Sequence, residues 1–436
     1  MAENQSLWRE TVRLPGFGPL RADLKTDVLV VGGGLAGILC AHMLRSAGVD
    51  CALAEAGTLC SGTTGNTTAK LTVQHGLIYA SLIRTLGPER AQMYLRANQQ
   101  ALDAWRGLCA GMDCDFEPKD SFVYSTDDRP KLERELTALR RLGVPARLAE
   151  GLPLPVATVG AVCVPDQAQF NPLKFAAAMA KGLPIYENTP VLELAPGLAR
   201  TPGGVIRAEK IVVATHFPML NKHGLYFIKL YQHRSYVLAL RGAADVRGMY
   251  VDAADAGMSF RNAEGLLLLG GGGHRTGRKG GGWRALRDFA RIHYPQAEVV
   301  GQWAAQDCMT LDGAPYIGRY SRRTDDLYVL TGFNKWGMTG SMAGAMLLRD
   351  MILGRAPDWA EAFSPSRSAL HPQLWINAGE AVLNLLTPTA PRCPHMGCAL
   401  KYNPQEHSWD CPCHGSRFTH EGRLIDNPAA SDLKNR

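Results

Sequence analysis

The stretch "RCPHMGCALKYNPQEHSWDCPCHGSRF" (392–418) holds four of the chain's 11 cysteines together with His395 and His414. Cys393 and His395 form a Cys-x-His pair, Cys411 and His414 a Cys-x-x-His pair, and 15 residues lie between His395 and Cys411. Two thiolates and two imidazoles at this spacing suit a metal centre. Structural zinc usually takes pairs separated by two or more residues, so the Cys-x-His pair is tight for zinc, which stays the competing metal to iron. The other seven cysteines are scattered, which argues against a disulfide scaffold.

A second stretch, "TDVLVVGGGLAGILCAHMLRSAGVDCALAEAG" (26–57), reads as a buried strand, a glycine turn, a helix and a second strand. Gly32 permits the tight turn, Gly34 lets the backbone approach a pyrophosphate at the positive end of the helix, and Gly37 lets helix and strand pack closely. Glu55 closes the second strand, where a carboxylate can accept hydrogen bonds from a ribose and disfavours a 2′-phosphate. The fingerprint alone does not separate FAD from NAD.

Later segments separate them. "IVVATHFP" (211–218), "SFRNAEGLLLLGGGGHRTG" (259–277), "AQDCMTLDGAPYIG" (305–318) and "DLYVLTGFNKWGMTGSMAGAMLLRDMI" (326–352) together resemble the D-amino-acid oxidase and glycine oxidase superfamily of FAD-dependent oxidoreductases. The resemblance covers roughly 26–355 and implies FAD rather than NAD. It places the start of the last helix against the flavin, with Gly332, Gly337, Met338 and Thr339 at the matching positions, where a helix N-terminus stabilises negative charge. It also gives "SGTTGNTTAKLTVQHG" (61–76) the place of the loop running from pyrophosphate to flavin, with Thr67, Thr68 and Lys70 as contacts. The alternative is an ordinary polar surface loop.

The Cys/His stretch resembles the Rieske signature. That resemblance implies a 2Fe-2S cluster with Cys393 and Cys411 on one iron and His395 and His414 on the other. Neutral imidazoles in place of thiolates raise the potential to about −150 to +300 mV, against roughly −400 mV for an all-cysteine cluster. Cys398 and Cys413 match positions that are disulfide-bonded in many Rieske proteins; free thiols are the alternative in a reducing compartment. Gly397, Pro412, Gly415 and Ser416 fit the family's tight loops. The chain departs from the family in length, because the usual β-sandwich base around the cluster loops is missing. So short a piece buries little core, and the expectation is that it packs on the flavoprotein, tethered by a helix over 371–386.

The elements that must position these groups follow from composition and pattern. With 436 residues, 46% hydrophobic and 20% charged, the chain is long enough for two or more domains. The expected fold class is α/β (α+β): a Rossmann-type FAD domain (1–80, 155–220 and 300–355) interleaved with an antiparallel-sheet substrate domain (81–154 and 221–299). A helical linker (356–387) and the Rieske module (388–436) follow. Helices are expected over 88–108 and 130–143, strands over 121–126 and 229–242, and a loop over the glycine-rich 270–282. No apolar run is long enough for a membrane span, and the first residues lack an apolar leader, so a cytoplasmic protein is expected. A net charge of +7 does not by itself argue for nucleic acid.

A flavin can take two electrons as a hydride, whereas a 2Fe-2S cluster carries one. The combination implies a dehydrogenase that oxidises a small amine, amino acid or similar substrate and passes electrons through the cluster to an outside acceptor such as a redox protein. The alternative is a non-catalytic flavin/iron-sulfur electron-transfer adaptor between protein carriers. Candidate substrate groups are Arg261, His274 and Lys335, each alternatively a plain surface charge. Covalent flavin attachment at Cys308 is not expected, because the spacing to Asp312 differs from that of relatives that form it. "HRTGRK" (274–279) is a basic run that suits an acidic carrier, or simply a solvated loop. A ring-hydroxylating oxygenase would need a further non-haem iron domain after the cluster.

Overall fold

The computed structural model describes residues 4–220, 223–388 and 391–433. The first sheet runs in the order Tyr316–Arg319, Leu327–Thr331, Gly204–Val213, Leu24–Val31, Cys51–Ala54, Ile185–Tyr186. Its central strands pair in parallel, and Val28 to Val31 are buried on both faces, as the continuous apolar run requires. The helices Leu35–Ser46 and Gly337–Ile352 pack together beside this sheet. Both start with glycine where the chain leaves a strand, so their N-termini open at the same end of the sheet.

The second sheet takes Glu298–Thr310, Leu230–Arg241, Leu266–Arg275, Ser259–Ala263, Met249–Asp252, Glu117–Ser125, Gly160–Gln169 and Lys70–Leu71, in that order. The chain therefore passes from second sheet to first after Gln169 and again after Thr310, not at the 155 and 300 boundaries expected from pattern. The glycine-rich segment expected as a loop over 270–282 begins as strand, which runs to Arg275 before the loop: Gly270 and Gly271 pair with Val237 and Tyr236. Glycine reads as a breaker in isolation, but here neighbouring strands on both sides hold the backbone extended.

Side chains alternate along the edge strand Glu298–Thr310 and its neighbour Leu230–Arg241, the pair of strands at this edge of the sheet. On the inner face, Val237, Ala239 and Trp303 join the core shared with the dinucleotide helices. On the outer face, Tyr236, Leu238 and Leu240 lie under the helix Gly282–His293, against Trp283 and Leu286.

A third sheet of four short antiparallel strands, Lys401–Asn403, Ser408–Asp410, Arg417–Thr419 and Leu424–Asp426, forms the C-terminal module. Its core comprises Cys393, Cys398, Leu400, Cys411, Cys413, Phe418 and Ala429, so more than half of it is cysteine. The helix Pro372–Leu386 precedes it, capped by the His371 ring and started by Pro372. Asn377, Glu380 and Asn384 form the inward face of this helix, and its large apolar residues point outward.

Candidate functional site

The dinucleotide turn is built by close backbone approach. Gly32 has φ +113°, and a Cβ on Gly37 would stand 1.9 Å from the Gly32 carbonyl oxygen, so neither position tolerates a side chain. Gly34 caps the next helix without a side-chain bond, while Leu35 N–H donates to Thr64 Oγ1 at 3.0 Å. Glu55 accepts from the N–H groups of Gly33 (2.6 Å) and Gly57 (2.8 Å), so it also fixes the glycine loop.

The loop expected to run toward the flavin is strapped from two sides. From the N-terminus, Ser6 Oγ donates to the Gly65 carbonyl, Trp8 Nε1 to Thr67 O (2.7 Å) and Arg9 to Cys60 O (3.0 Å). From the second sheet, buried Arg261 donates to Thr68 O and Ala69 O, lies over the Trp8 ring, and Trp303 Nε1 donates to Asn66 O. Arg261 is thus a strut under the loop. Lys70 donates to Thr68 Oγ1 (3.1 Å), and burial, with the Arg261 charge next, lowers its pKa to about 7.

At the other helix, Gly337 opens the first turn, the Met338 carbonyl accepts from Trp105 Nε1, and Thr339 is buried, bonded to Thr72 O and His75 Nε2. Gly332 (φ +70°) leaves room for the Thr310 methyl group. Gly337 alone keeps an open approach. His75, unmarked by any motif, stacks on Trp336 at 5.1 Å, and burial lowers its pKa to about 3.

The three candidate substrate groups separate. Arg261 is under the loop, and His274 bonds Tyr236 Oη (3.0 Å) on the outer face of the second sheet. Lys335 lies close enough for its charge to act on His233 and Asp307, which are paired across the edge strands and so on one face. Burial lifts Asp307 to about 6, with the Lys335 charge opposing, and Ser235 Oγ donates to it at 3.2 Å. Burial, then the Lys335 and His274 charges, lowers His233 to about 3, and its Nδ1 has no hydrogen-bond partner among the described residues. This trio was invisible locally, because it is assembled from two strands and a helix start.

In the module, the Cys393 thiol stands next to Cys411, and the Sγ atoms of Cys398, Cys411 and Cys413 lie within 4.8 Å of one another. Cys398 and Cys413 are adjacent thiols, with no bridge between them. The thiols pull Cys411 well down, Cys393 first, then Cys398 and Cys413. The rings of His395 and His414 meet at 4.8 Å and 89°. Two hairpin turns bring the pairs together: Gly397 N–H donates to Cys393 O (2.8 Å) and Gly415 N–H to Cys411 O (2.9 Å). His414 Nδ1 is buried without a hydrogen-bond partner among the described residues. Such an atom beside two thiols and a second imidazole is the donor set a mixed Cys/His iron-sulfur centre needs.

The imidazoles face the flavoprotein, His414 buried and His395 half-buried: Phe217 lies 6.2 Å from both rings and Phe227 6.4 Å from His414. The module seats on the outer face of the edge strands. Gln306 Nε2 donates to Gly415 O (2.9 Å), Arg275 Nε to Pro412 O (3.1 Å), and Asn427 Nδ2 to Thr215 O (2.7 Å). Gly277 (φ +74°) meets Pro412 so closely that a Cβ would stand 2.6 Å from its nitrogen. Arg234, Glu406 and Arg417 form a buried chain completed by Asp410 and Asp426. Tyr236 Oη donates to Glu406 at 2.9 Å. The two arginines hold the Glu406 carboxyl at about 2 against the opposing effect of burial.

Residues 27–351 match the FAD dependent oxidoreductase family and residues 384–435 the Rieske [2Fe-2S] domain. A Bacillus subtilis (strain 168) protein, YhfW, named for a Rieske 2Fe-2S iron-sulfur centre, is 32% identical over 99% of this chain and 97% of its own length. Glycine oxidase from Geobacillus kaustophilus shares the fold, with a TM-score of 0.67 at 22% identity over 79% of this chain and 99% of that one. Over 42 residues, 10% of this chain, the module is 43% identical to the cytochrome b6-f complex iron-sulfur subunit 3 of Nostoc, covering 24% of that protein. The open glycine turn and the Cys/His donor set fit FAD and a 2Fe-2S cluster respectively. The chain belongs to the FAD dependent oxidoreductase family and carries a Rieske [2Fe-2S] domain behind it.

Proposed function

We propose that this oxidoreductase acts as a dehydrogenase on a small amine or amino acid and delivers the electrons, by way of its 2Fe-2S centre, to an external acceptor. The observation that carries this reading is that the module sits on the outer face of the same two strands whose inner face bears His233 and Asp307. Bound FAD supplies a two-electron acceptor and the 2Fe-2S centre a one-electron one.

The chain's own groups have separable tasks in this reading. Asp307, ionised above about pH 6, holds a cationic amine, and Ser235 orients the carboxylate. His233, neutral at working pH, offers its unpartnered Nδ1 as a hydrogen-bond acceptor to the substrate. Lys335, exposed and close enough to act on both, suits the carboxylate of an amino acid. Gly34 and Gly337 open the two helix N-termini to the cofactor's phosphates and ring, with Thr67, Thr68 and Lys70 along the loop. Cys393, Cys411, His395 and His414 hold the iron, and Cys398 with Cys413 forms a bridge under oxidation. The setting is cytoplasmic.

Anaerobic titration of the holoprotein with a panel of amines and amino acids, following flavin and cluster absorbance separately, tests the reading. Bleaching of both chromophores by one small molecule supports it. Bleaching only by a reduced carrier protein would make the chain an electron-transfer adaptor.

A further inference from the structure

The helix Pro372–Leu386 is turned inside out relative to an ordinary surface helix. Asn377, Glu380 and Asn384 face the protein, with Asn377 bonded to Arg275 (2.9 Å) and Glu380 paired with Arg278. Trp375, Ile376, Val382, Leu383 and Leu386 recur at helical spacing on the solvent side, with Trp375 71% and Leu386 77% exposed. Of the 14 large apolar residues exposed among the described residues, eight fall between Leu370 and Met396. Scattered apolar residues need no explanation, but so dense a patch marks an interaction surface.

The charges around this patch decide what covers it. No charged side chain lies on the outward face, since Glu380 points inward. Its rim is cationic: Arg278 and Lys279 stand exposed beside the middle of the helix, and exposed Arg392 bonds the carbonyls of Asn384, Leu385 and Thr387 at its end. Two copies meeting through this face would bring like charges together, in chains that each carry a net +7. The exposed apolar surface also runs beyond the helix, from Leu370 before it to Met396 in the cluster loop, so it is a broad plateau rather than a row of anchors for a groove. At 15 residues the helix is too short to cross a bilayer, and among the described residues none is long and apolar enough to do so.

We infer that this plateau seats the protein on the surface of an anionic phospholipid bilayer: the helix lies in the interface, Trp375 at its start, with Arg278, Lys279 and Arg392 at headgroup level. The surface that carries Met396 thereby brings the cluster loop to the membrane. This inference is independent of the substrate reading, because nothing in the plateau belongs to the inner face.

The test is flotation of the full-length holoprotein with vesicles of phosphatidylglycerol and phosphatidylcholine, beside vesicles of phosphatidylcholine alone, with light scattering of the protein in solution. The expected result is flotation with the anionic vesicles, weakened at high salt. The double variant Ile376→Glu/Leu383→Glu should lose at least about tenfold in partitioning, and Lys279→Glu a smaller share, both with unchanged flavin and cluster spectra. Absence of flotation, or flotation indifferent to the double variant, overturns the inference. A stable dimer that the double variant dissociates overturns it in favour of a second copy.

Discussion

The two faces of the edge-strand pair carry the same residue chemistry under opposite conditions. On the outer face Arg234 is fully paired: it meets Glu406, which meets Arg417, which meets Asp410 and Asp426, and the result is a glued joint. On the inner face, one residue along each strand, His233 and Asp307 lack such partners, and burial moves both off their ordinary values. Paired charges hold the molecule together, and unpaired ones are left for a ligand. A strand's period of two is what lets neighbouring residues be divided this way.

The strongest way to break the comparison is to remove the outer chemistry and keep the inner. Cys411→Ser should abolish the cluster signal and reduce turnover with the natural acceptor by more than the roughly 100-fold typical of supporting residues. Flavin bleaching by substrate should survive. Undiminished turnover with that acceptor would mean that the cluster is only structural.

Next comes the joint. Glu406→Ala leaves Arg234 buried without its close acid and takes one of three acids from Arg417, and should destabilise the seated module by about 3–5 kcal/mol, read by thermal melting and by proteolysis near residue 388. Acid should act through the same carboxyl. Because its folded-state value lies near 2 rather than 4.5, its contribution is complete above about 4.5 and is lost as pH falls toward 2. An unchanged acid profile in Glu406→Gln would rule out this carboxyl as the acid-sensitive group.

The inner face should respond in the opposite sense. Asp307 is raised in the folded state, so its ionisation costs stability as pH climbs from 3.8 through about 6. Asp307→Asn should therefore melt no lower than the parent at neutral pH. It should also lose about 10- to 100-fold in kcat/KM, the value of a hydrogen bond to a charged group, along with the rise in activity through pH 6. Intact kcat/KM would remove Asp307 from substrate binding. A last test is the fit between faces: Gly277→Ala, at φ +74° with its Cβ against the Pro412 backbone, should cost more than about 1 kcal/mol. A neutral result would show that the contact yields.

What the sequence made legible was local. The glycine turn at Gly32 to Gly37 and the Cys/His pairs each lie within one short segment, where spacing alone constrains geometry. Lys335 lies in a segment that the resemblance marks, but Asp307 and His233 could not be found that way: residue 233 meets residue 307 only through strand register. The same limit explains Arg261, singled out for the substrate but spent on the carbonyls of Thr68 and Ala69. It explains the glycine-rich strand as well, since a breaker is overruled only by neighbours distant in sequence. In Pro372–Leu386 helical periodicity was visible, but not which stripe faced inward; Arg275 and Arg278 decide that.

Phe217 and Phe227 close over the imidazoles of His395 and His414 while Arg234 locks the module from the other side. That enclosure is complete for buried His414 and partial for half-exposed His395. Loading of the cluster should therefore be faster before the module seats than after. Growth under iron limitation should accumulate a flavin-loaded form that later iron restores slowly, at the rate at which the Arg234–Glu406 clasp opens.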